Sequence, residues 1–431
     1  MAFDQGLSGL NAASTQLDVI GNNIANASTV GFKSSTVDFA DVYANSLGGG
    51  SATPVGIGVA SNNIAQQFTQ GTIDPDSNPL DIAINGNGFF QLSTNGTLTY
   101  SRNGQFQLNA QGEIVTANGA NLQGYNANAA GVLNTGVTTN LTINSANIPP
   151  NPTANVTAEL NLDSSSPVLA AANFDPTNPA TYTYSTSITM YDSLGNSHSL
   201  QTFYVNQGAV GAVVPPATTP EDNWNVYTTV DGTTVGYTPP AAPVPTAVLA
   251  FTSAGALDDA NSTLTTPATS TMTLSIPLTN GATSPQTVNL SYAGTTQYGT
   301  TSGVNAQTQD GYSSGQLTQF TAGKNGVITG TYSNGQTQTL GQIVLDNFVN
   351  PAGLQAAGNN QWYQSPSSGV PIIGTPGSSS LGTLQSDAVE NSTTDLTNEL
   401  VNMITAQQDY QANAQTIKTQ DEITQTLVTL R

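Results

Sequence analysis

The chain has 431 residues, enough for two to four domains and a sizeable core. Charged residues make up only 7%, with 5 Lys and Arg against 26 Asp and Glu, for a net charge of −21. So few cations exclude a nucleic-acid partner held through its phosphates, and they exclude stability built on salt-bridge networks. The absence of cysteine excludes disulfides, thiolate metal sites and cysteine nucleophiles.

Polarity is carried by Asn, Gln, Ser, Thr and Gly. Hydrophobic residues still reach 37%, so the chain is not a disordered acidic tail. Residues 1–30 lack the basic start and continuous apolar stretch of a secretory signal. No apolar run approaches the roughly 18 residues a membrane span needs, so no membrane insertion is expected. The amide-rich, cation-poor composition reads as extracellular, which fits export without a cleaved signal.

At the N-terminus, Phe3, Leu7, Leu10, Leu17 and Ile24 fall at steps of 4, 3, 7 and 7. This spacing predicts an amphipathic helix, with Ser14 and Gly21 as small residues where another helix approaches closely. Asp4 lies in its first turn, where the helix dipole favours an anion. Asn26, Ser28, Thr29 and Gly31 then break the period.

From about 55 to 380 the pattern is strand and turn. Asp81-Ile-Ala-Ile-Asn85 alternates and meets the turn signal Gly86-Asn-Gly88. Phe89-Phe-Gln-Leu, Leu98-Thr-Tyr and Phe106-Gln-Leu follow, punctuated by Asn95-Gly96 and Asn103-Gly104. Between 146 and 304 proline clusters appear, with strands such as Tyr182–Met190 and Leu200–Val205. That stretch reads as a second β domain inserted into the first. The texture of the first domain returns at Val327–Tyr332 and Leu340–Leu345.

The C-terminus resumes helical spacing. Leu396, Met403, Tyr410 and Ile417 recur every seven residues, with Leu400, Gln407 and Ala414 as companions, before the pattern shifts to Ile423, Leu427 and Leu430. Asp395 or Thr394 caps the start. No Gly or Pro interrupts 392–431, which predicts about 35 helical residues spanning about 50 Å. The fold class is therefore mainly β, with nested β domains between paired N- and C-terminal helices that form a coiled-coil-like inner domain. Apolar stripes this broad are not hidden by one helix pair, so further packing against other subunits is expected.

Residues for chemistry are sparse. His198 is the only histidine and reads as a solvated or locally hydrogen-bonded side chain. No Gly-x-Ser-x-Gly elbow supports a catalytic triad around it. Asp74-Pro-Asp76-Ser-Asn78-Pro-Leu-Asp81 superficially resembles a calcium loop but lacks its glycine and closing glutamate. A carbohydrate cleft needs aromatic platforms, and Trp224 and Trp362 are the only tryptophans. No catalytic, cofactor or metal site is expected, and the chain reads as a non-enzyme. Copies carrying −21 each repel, so contacts between them should be apolar or amide-mediated and favoured by salt.

Three segments carry a resemblance. Asn22-Asn23-Ile-Ala-Asn26-Ala-Ser-Thr-Val-Gly31-Phe32-Lys33 resembles the N-terminal signature of bacterial flagellar rod, hook and hook-associated axial proteins. Asn78-Pro79-Leu80-Asp81-Ile-Ala-Ile-Asn-Gly86-Asn-Gly88-Phe89-Phe90, continued by Arg102-Asn-Gly-Gln-Phe106, is similar to their first core-domain motif. Glu399–Ile404 and Tyr410–Asp421 resemble their terminal helix, although Ser392-Thr-Thr-Asp395 stands where the family has Ser-Asn-Val-Asp. Asp310–Leu317, Asn347–Leu354 and Asn359–Trp362 place the nearest likeness in the hook branch.

The resemblance implies a structural subunit of a curved, flexible tube that transmits torque from motor and rod to filament. It implies many copies of the chain in a helical polymer, with a distal rod protein at the base, a hook-associated junction protein at the tip and a hook cap during assembly. It also implies export through the flagellar type III apparatus to an extracellular location. The implied division is 1–30 with 391–431 as a helical domain lining the channel, and 31–69 with 381–390 as connecting segments. Residues 70–145 with 305–380 form the core β domain, and 146–304 an outer β domain. Glycine-rich linkers near Gly48–Gly50 and Gly374–Ser380 are expected hinges. The other readings are a distal rod or junction protein and, in another class, a secreted acidic adhesin.

Overall fold

In the computed structural model, residues 2–42, 56–210, 221–236, 243–266 and 269–429 are described. The chain divides into two compact units, 1–145 with 318–331 and 337–431, and 146–317 with 332–336.

The first unit contains both helices, α1 (Ala2–Ala25) and α2 (Leu396–Thr429). They pack together, as the terminal heptads predict. Asp395 is the cap of α2: its Oδ1 accepts from the amides of Thr397 and Asn398 at 2.9 and 3.2 Å. After α1 the chain forms an isolated antiparallel ribbon, Ser35–Val42 with Gly58–Gln66, where a plain connection was expected. The ribbon touches α1 through the Ser8 hydroxyl, which accepts from the Val59 amide.

The core sheet of this unit is antiparallel and begins with the motif strands. Asn95 and Gly96, at φ 50° and 85°, make the tight turn between Phe89–Thr94 and Thr97–Ser101. The strand Ile82–Asn85 departs from the expected alternation, since Ile82, Ala83 and Ile84 are all buried. It pairs with Thr383–Ser386, and core packs on both of its faces. The segment Gly374–Ser380 is not a free hinge. It closes as a turn, with the Ser378 amide donating to Thr375 and the Gly377 amide to Gly382. Gly48–Gly50 lies outside the described residues.

The second unit holds two sheets around one apolar core. Thr271–Ile276, Gln286–Ser291, Asn155–Asp163, Thr296–Tyr298 and Gly303–Gln309 form one, with Asn155–Asp163 parallel to two of its neighbours. The other is built from Tyr184–Tyr191, Ser197–Val210, Glu221–Val230, Ala247–Phe251, Leu257–Asp258 and Thr233–Thr234. Leu160, Leu162, Val288, Tyr204, Trp224 and Leu249 meet between them.

Candidate assembly site: the helix pair and its buried anchor

The seam between the helices is lined by small residues at heptad spacing. On α1, Gly6, Ala13 and Ile20 are seven apart and buried, with Leu10, Leu17 and Ile24 half-buried beside them. The close approach falls at Gly6 and Gly9, not at Gly21. A Cβ on Gly6 would lie 2.9 Å from Ile417 Cγ1, and one on Gly9 would lie 2.5 Å from Asn413 Oδ1, whereas Gly21 has open space. Helix phase explains the correction, because Gly21 is rotated by about 100° from the line of Gly6, Ala13 and Ile20.

On α2, Ala406 is buried, and Met403, Asn413, Ala414 and Ile417 are half-buried. Of the predicted stripe residues, Phe3, Leu7, Leu396, Leu400 and Tyr410 stay exposed. Leu427 is helical, and its side chain lies outside the described residues, as does Leu430. Leu396, Leu400 and Ile404, at four-residue steps, form with Val401 an exposed apolar stripe on a face of α2 away from Ala406.

The far end of the pair is pinned by Asn23, which is buried. Its Nδ2 donates to Glu399 Oε1 of α2 and to the Ser35 carbonyl, both at 2.9 Å, and its Oδ1 accepts from the Ser35 amide at 2.9 Å. One amide thus ties both helices to the first ribbon strand. Asn22 is exposed and serves through its carbonyl, which accepts from Asn26 Nδ2. Thr393 holds the return to α2, its amide donating to the Phe32 carbonyl and its hydroxyl accepting from the Ser34 amide.

Beyond α1 lies a charged anchor. Gly31 has φ 71°, and a Cβ there would lie 2.6 Å from the Asn103 amide nitrogen, so only glycine fits. Its amide donates to the Glu390 carbonyl at 2.7 Å. Buried Lys33 donates to Glu390 Oε1 at 2.8 Å and to the Thr69 carbonyl at 2.6 Å. Arg102 reaches Glu390 Oε2 at 3.3 Å and donates to the Gly86 carbonyl at 2.8 Å. The Gly71 amide completes the shell of Glu390 at 2.8 Å. Burial pulls Lys33 and Arg102 below their ordinary values, and Glu390 opposes it in each case.

The core motif surrounds this anchor. Gly86, at φ 109°, offers its carbonyl to Arg102, and a Cβ there would lie 2.9 Å from Gly382 Cα. Arg102 also sits 5.5 Å from the Phe89 ring centroid. Phe89 joins Phe68, Trp362 and Phe348 edge to face, at 5.4, 5.9 and 5.9 Å. Gly88 and Phe90 are buried and Leu80 is half-buried, whereas Asn78 and Pro79 are exposed. Asn78 Oδ1 accepts from the Leu80 amide, and its Nδ2 donates to Asp81 Oδ1, which fixes the turn into the strand.

Three of these contributors carried no signal strong enough to single them out: Glu390, Thr69 and Gly71. The available clue was scarcity. Lys33 and Arg102 are two of only five cations, and both lie inside the motif segments.

The remaining polar candidates are structural. Asp74 accepts from Asn391 Nδ2, and Asp76 from the Ser77 amide. Burial and the neighbouring Asp76 push Asp81 up to about 6. Among the described residues, no three His, Asp or Glu side chains converge to hold a metal ion. His198 is clamped rather than free. Its Nδ1 is 2.6 Å from Asp231 Oδ2 and its Nε2 is 3.2 Å from Asp192 Oδ2. One carboxylate meets each ring nitrogen, so both nitrogens are engaged. Trp224 is fully buried in its core and offers no platform. No helix among the described residues is long and apolar enough to cross a membrane.

Comparison with known proteins agrees with this architecture along the whole chain. The family described as Flagella basal body rod protein matches residues 3–33, and Flagellar hook protein FlgE/F/G D1 domain matches 83–160. Flagellar basal body protein FlaE D2 domain matches 161–312, and Flagellar basal body rod FlgEFG protein C-terminal matches 385–430. Paired terminal helices, a motif-built β core and an inserted β unit define an axial subunit of the bacterial flagellum.

The chain is 42% identical to the flagellar hook protein FlgE of Escherichia coli K12 over 437 residues, covering 100% of both chains. It is 40% identical to that of Salmonella typhimurium, again over 100% of both, and 33% identical to that of Borreliella burgdorferi, over 99% of this chain and 98% of that one. A crystal structure of Helicobacter pylori flagellar hook protein FlgE2 shares the fold, with TM-score 0.53 and 15% identity over 74% of this chain and 100% of that one. The chain belongs to the flagellar hook protein FlgE family. It is a structural subunit of the extracellular hook, where copies polymerise into the curved tube that carries torque to the filament. The rod, junction and adhesin readings give way to these full-length matches.

Proposed function

We propose that polymerisation runs through the terminal helices, with Phe3, Leu7, Leu10, Leu17, Ile24, Leu396, Leu400, Met403, Tyr410, Ile417 and Leu427 as its assembly residues. The observation that carries this reading is the exposed stripe of Leu396, Leu400, Val401 and Ile404, left over after α2 has packed on α1. An apolar stripe of this kind gains its driving force by burial against neighbouring copies. The paired helices would line the channel, residues 70–145 with 305–380 would form the wall, and 146–304 would face outward. The partners are a distal rod protein at the base, a junction protein at the tip, a hook cap during growth and the type III export apparatus. Export would proceed unfolded and without a cleaved signal, a route that the absence of cysteine suits.

Leu400→Asp combined with Ile404→Asp tests the reading. Both side chains are exposed in the single chain, so the monomer should keep its circular dichroism and unfolding midpoint. Sedimentation should show loss of tubes under conditions where the unsubstituted protein assembles. Tubes formed at the usual protein concentration would refute the helix interface.

A further inference from the structure

The strands of the first unit also build a polar cleft that assembly through the helices does not use. Thr94 lies opposite Thr97 in the hairpin of Phe89–Thr94 and Thr97–Ser101. On the next strand, Gln361 lies opposite Ser101 and Trp362 opposite Tyr100. Side chains alternate along strands, so Thr97, Thr99, Gln361 and Tyr363 share one face. Tyr100 and Trp362 point to the other, into the aromatic cluster. Two turns rise beside the shared face. One carries Asn118 and is closed by the Gly119 amide, which donates to the Thr116 carbonyl at 2.8 Å. The other carries Asn359 and runs through Gly358, Asn359 and Asn360 at φ 83°, 54° and 54°. The space between them is about 290 Å³.

The polar groups of this cleft are held in place without being used up. Buried Thr99 donates from its hydroxyl to Gln361 Oε1 at 3.0 Å. That bond fixes the Gln361 amide and leaves its Nε2 as a donor with no partner among the described residues. The rim is fixed as well: the Asn360 carbonyl accepts from the Ser101 hydroxyl at 2.8 Å, and Asn360 Nδ2 donates to the Val30 carbonyl at 3.1 Å. The exposed side chains of Thr94, Thr97, Asn118 and Asn359 make no hydrogen bond among the described residues. Turn asparagines elsewhere spend theirs on their own backbone, as Asn103 does on the Gln105 amide and Asn334 on the Gln336 amide, at 2.9 and 3.1 Å. The Tyr363 side chain on the same face is 41% exposed.

Charge narrows the class of ligand. The stretches that supply the cleft, 82–101, 114–158 and 347–386, contain no Asp, Glu, Lys or Arg, in a chain whose net charge is −21. A phosphate or carboxylate finds no cation in the lining, and an ammonium finds no carboxylate. What the lining offers is amides and hydroxyls beside one aromatic ring. An amide presents a donor and an acceptor side by side, which matches neighbouring hydroxyls on a sugar ring. The C–H face of such a ring packs on an aromatic side chain. The platform here is a tyrosine, since both tryptophans are buried.

We propose that this cleft binds a neutral saccharide, with Tyr363 against the C–H face of one pyranose ring and Gln361 Nε2, Asn118 and Asn359 on its hydroxyls. The site is built within one unit of one chain, so it does not rest on the assembly reading. The hook is extracellular, where neutral polysaccharides of the glucan and amino-sugar types present the same ring chemistry. A single sugar ring offers few atoms to a cleft this open, so the dissociation constant should be about 1 mM.

Saturation-transfer NMR on the full-chain monomer tests this with glucose, maltotriose, N-acetylglucosamine and chitotriose. Ring protons of at least one sugar should receive saturation from the protein. A stronger signal from maltotriose assigns the cleft to glucans, and one from chitotriose to amino-sugar glycans. Tyr363→Ala and Asn118→Ala change exposed side chains, so circular dichroism should be unaltered while each raises the dissociation constant about tenfold. Tyr363→Phe keeps the ring and should bind as the unsubstituted chain does. No transfer to any of the four sugars would overturn the proposal. Transfer that persists undiminished in both alanine variants would overturn it too, because the sugar would then sit elsewhere.

Discussion

Lys33 and Glu390 lie 357 residues apart in the chain and 2.8 Å apart in the fold, and both are fully shielded from solvent. With Arg102 on the second oxygen of Glu390, two of the five cations of an acidic chain meet on one carboxylate. The pair closes the path by which the chain leaves α1, enters the β core and returns to α2. A hook subunit must pass load between its helices and its β core, and this buried node joins the outgoing and returning strands of that connection.

Removing the shared carboxylate is predicted to be more damaging than removing one cation. Glu390→Gln leaves two buried positive groups facing a neutral amide and should destabilise the unit by about 3–5 kcal/mol. Lys33→Met leaves Arg102 paired with Glu390 and replaces a buried ammonium by an apolar chain, so its loss should be smaller. Urea unfolding of the two variants measures the order. Equal midpoints would mean that the node contributes little beyond packing.

Asn23 is predicted to hold the helix pair in register. Asn23→Leu keeps the side-chain size but strands Glu399 Oε1 and both backbone groups of Ser35, which costs about 1–3 kcal/mol for groups left without partners. Hydrogen exchange should accelerate at the Ser35 end of the ribbon and in the first turns of α2. Protection unchanged at both places would show that the helix seam alone fixes the register.

The helices were legible because seven-residue spacing survives any choice of partner. Their rotation was not. Leu7, Leu396 and Leu400 mark apolar faces as strongly as the seam does, whereas the seam itself is written in Gly6, Gly9, Ala13 and Ala406, residues with little hydrophobic signal. The helices carry two apolar stripes, one in the seam and one exposed, and periodicity alone does not rank them. The turns at Asn95-Gly96 and Gly86 were readable for the opposite reason, since their positive φ values demand those residues. Glu390 was hidden because one acid among 26 has no local signature, and its partners come from distant segments. The ribbon Ser35–Val42 was missed because its two sides are largely exposed and mix polar with apolar positions.

Stability is predicted to fall with rising pH, through Asp346 and, to a smaller extent, Asp81 in the first unit and through His198 in the second. In the first unit Asp346 is buried, neither carboxylate oxygen has a hydrogen-bond partner among the described residues, and burial pushes it up to about 7. A carboxyl that binds its proton more tightly when folded stabilises fully below its unfolded value of 3.8, and that contribution is lost as pH rises to about 7. A shift of this size corresponds to a loss on the order of 4 kcal/mol. In the second unit Asp231 and Asp192 grip His198 and raise it above its ordinary value, against the opposing effect of burial. Burial pushes Asp192 up, but hydrogen bonds from Asn196 and Asn280 outweigh it and hold that carboxyl well below the usual range. The stabilisation from charged His198 is complete below the ordinary imidazole value and is lost as pH passes through the raised one. The two tryptophans separate the effects, because Trp362 lies in the first unit and Trp224 in the second. With Trp224→Phe as background, fluorescence-detected urea unfolding should show a decline between pH 4 and 7 that Asp346→Asn reduces by more than half, the remainder belonging to Asp81. With Trp362→Phe, it should show a decline above pH 6.5 that His198→Gln removes. Slopes that survive these substitutions would assign the pH dependence to other groups.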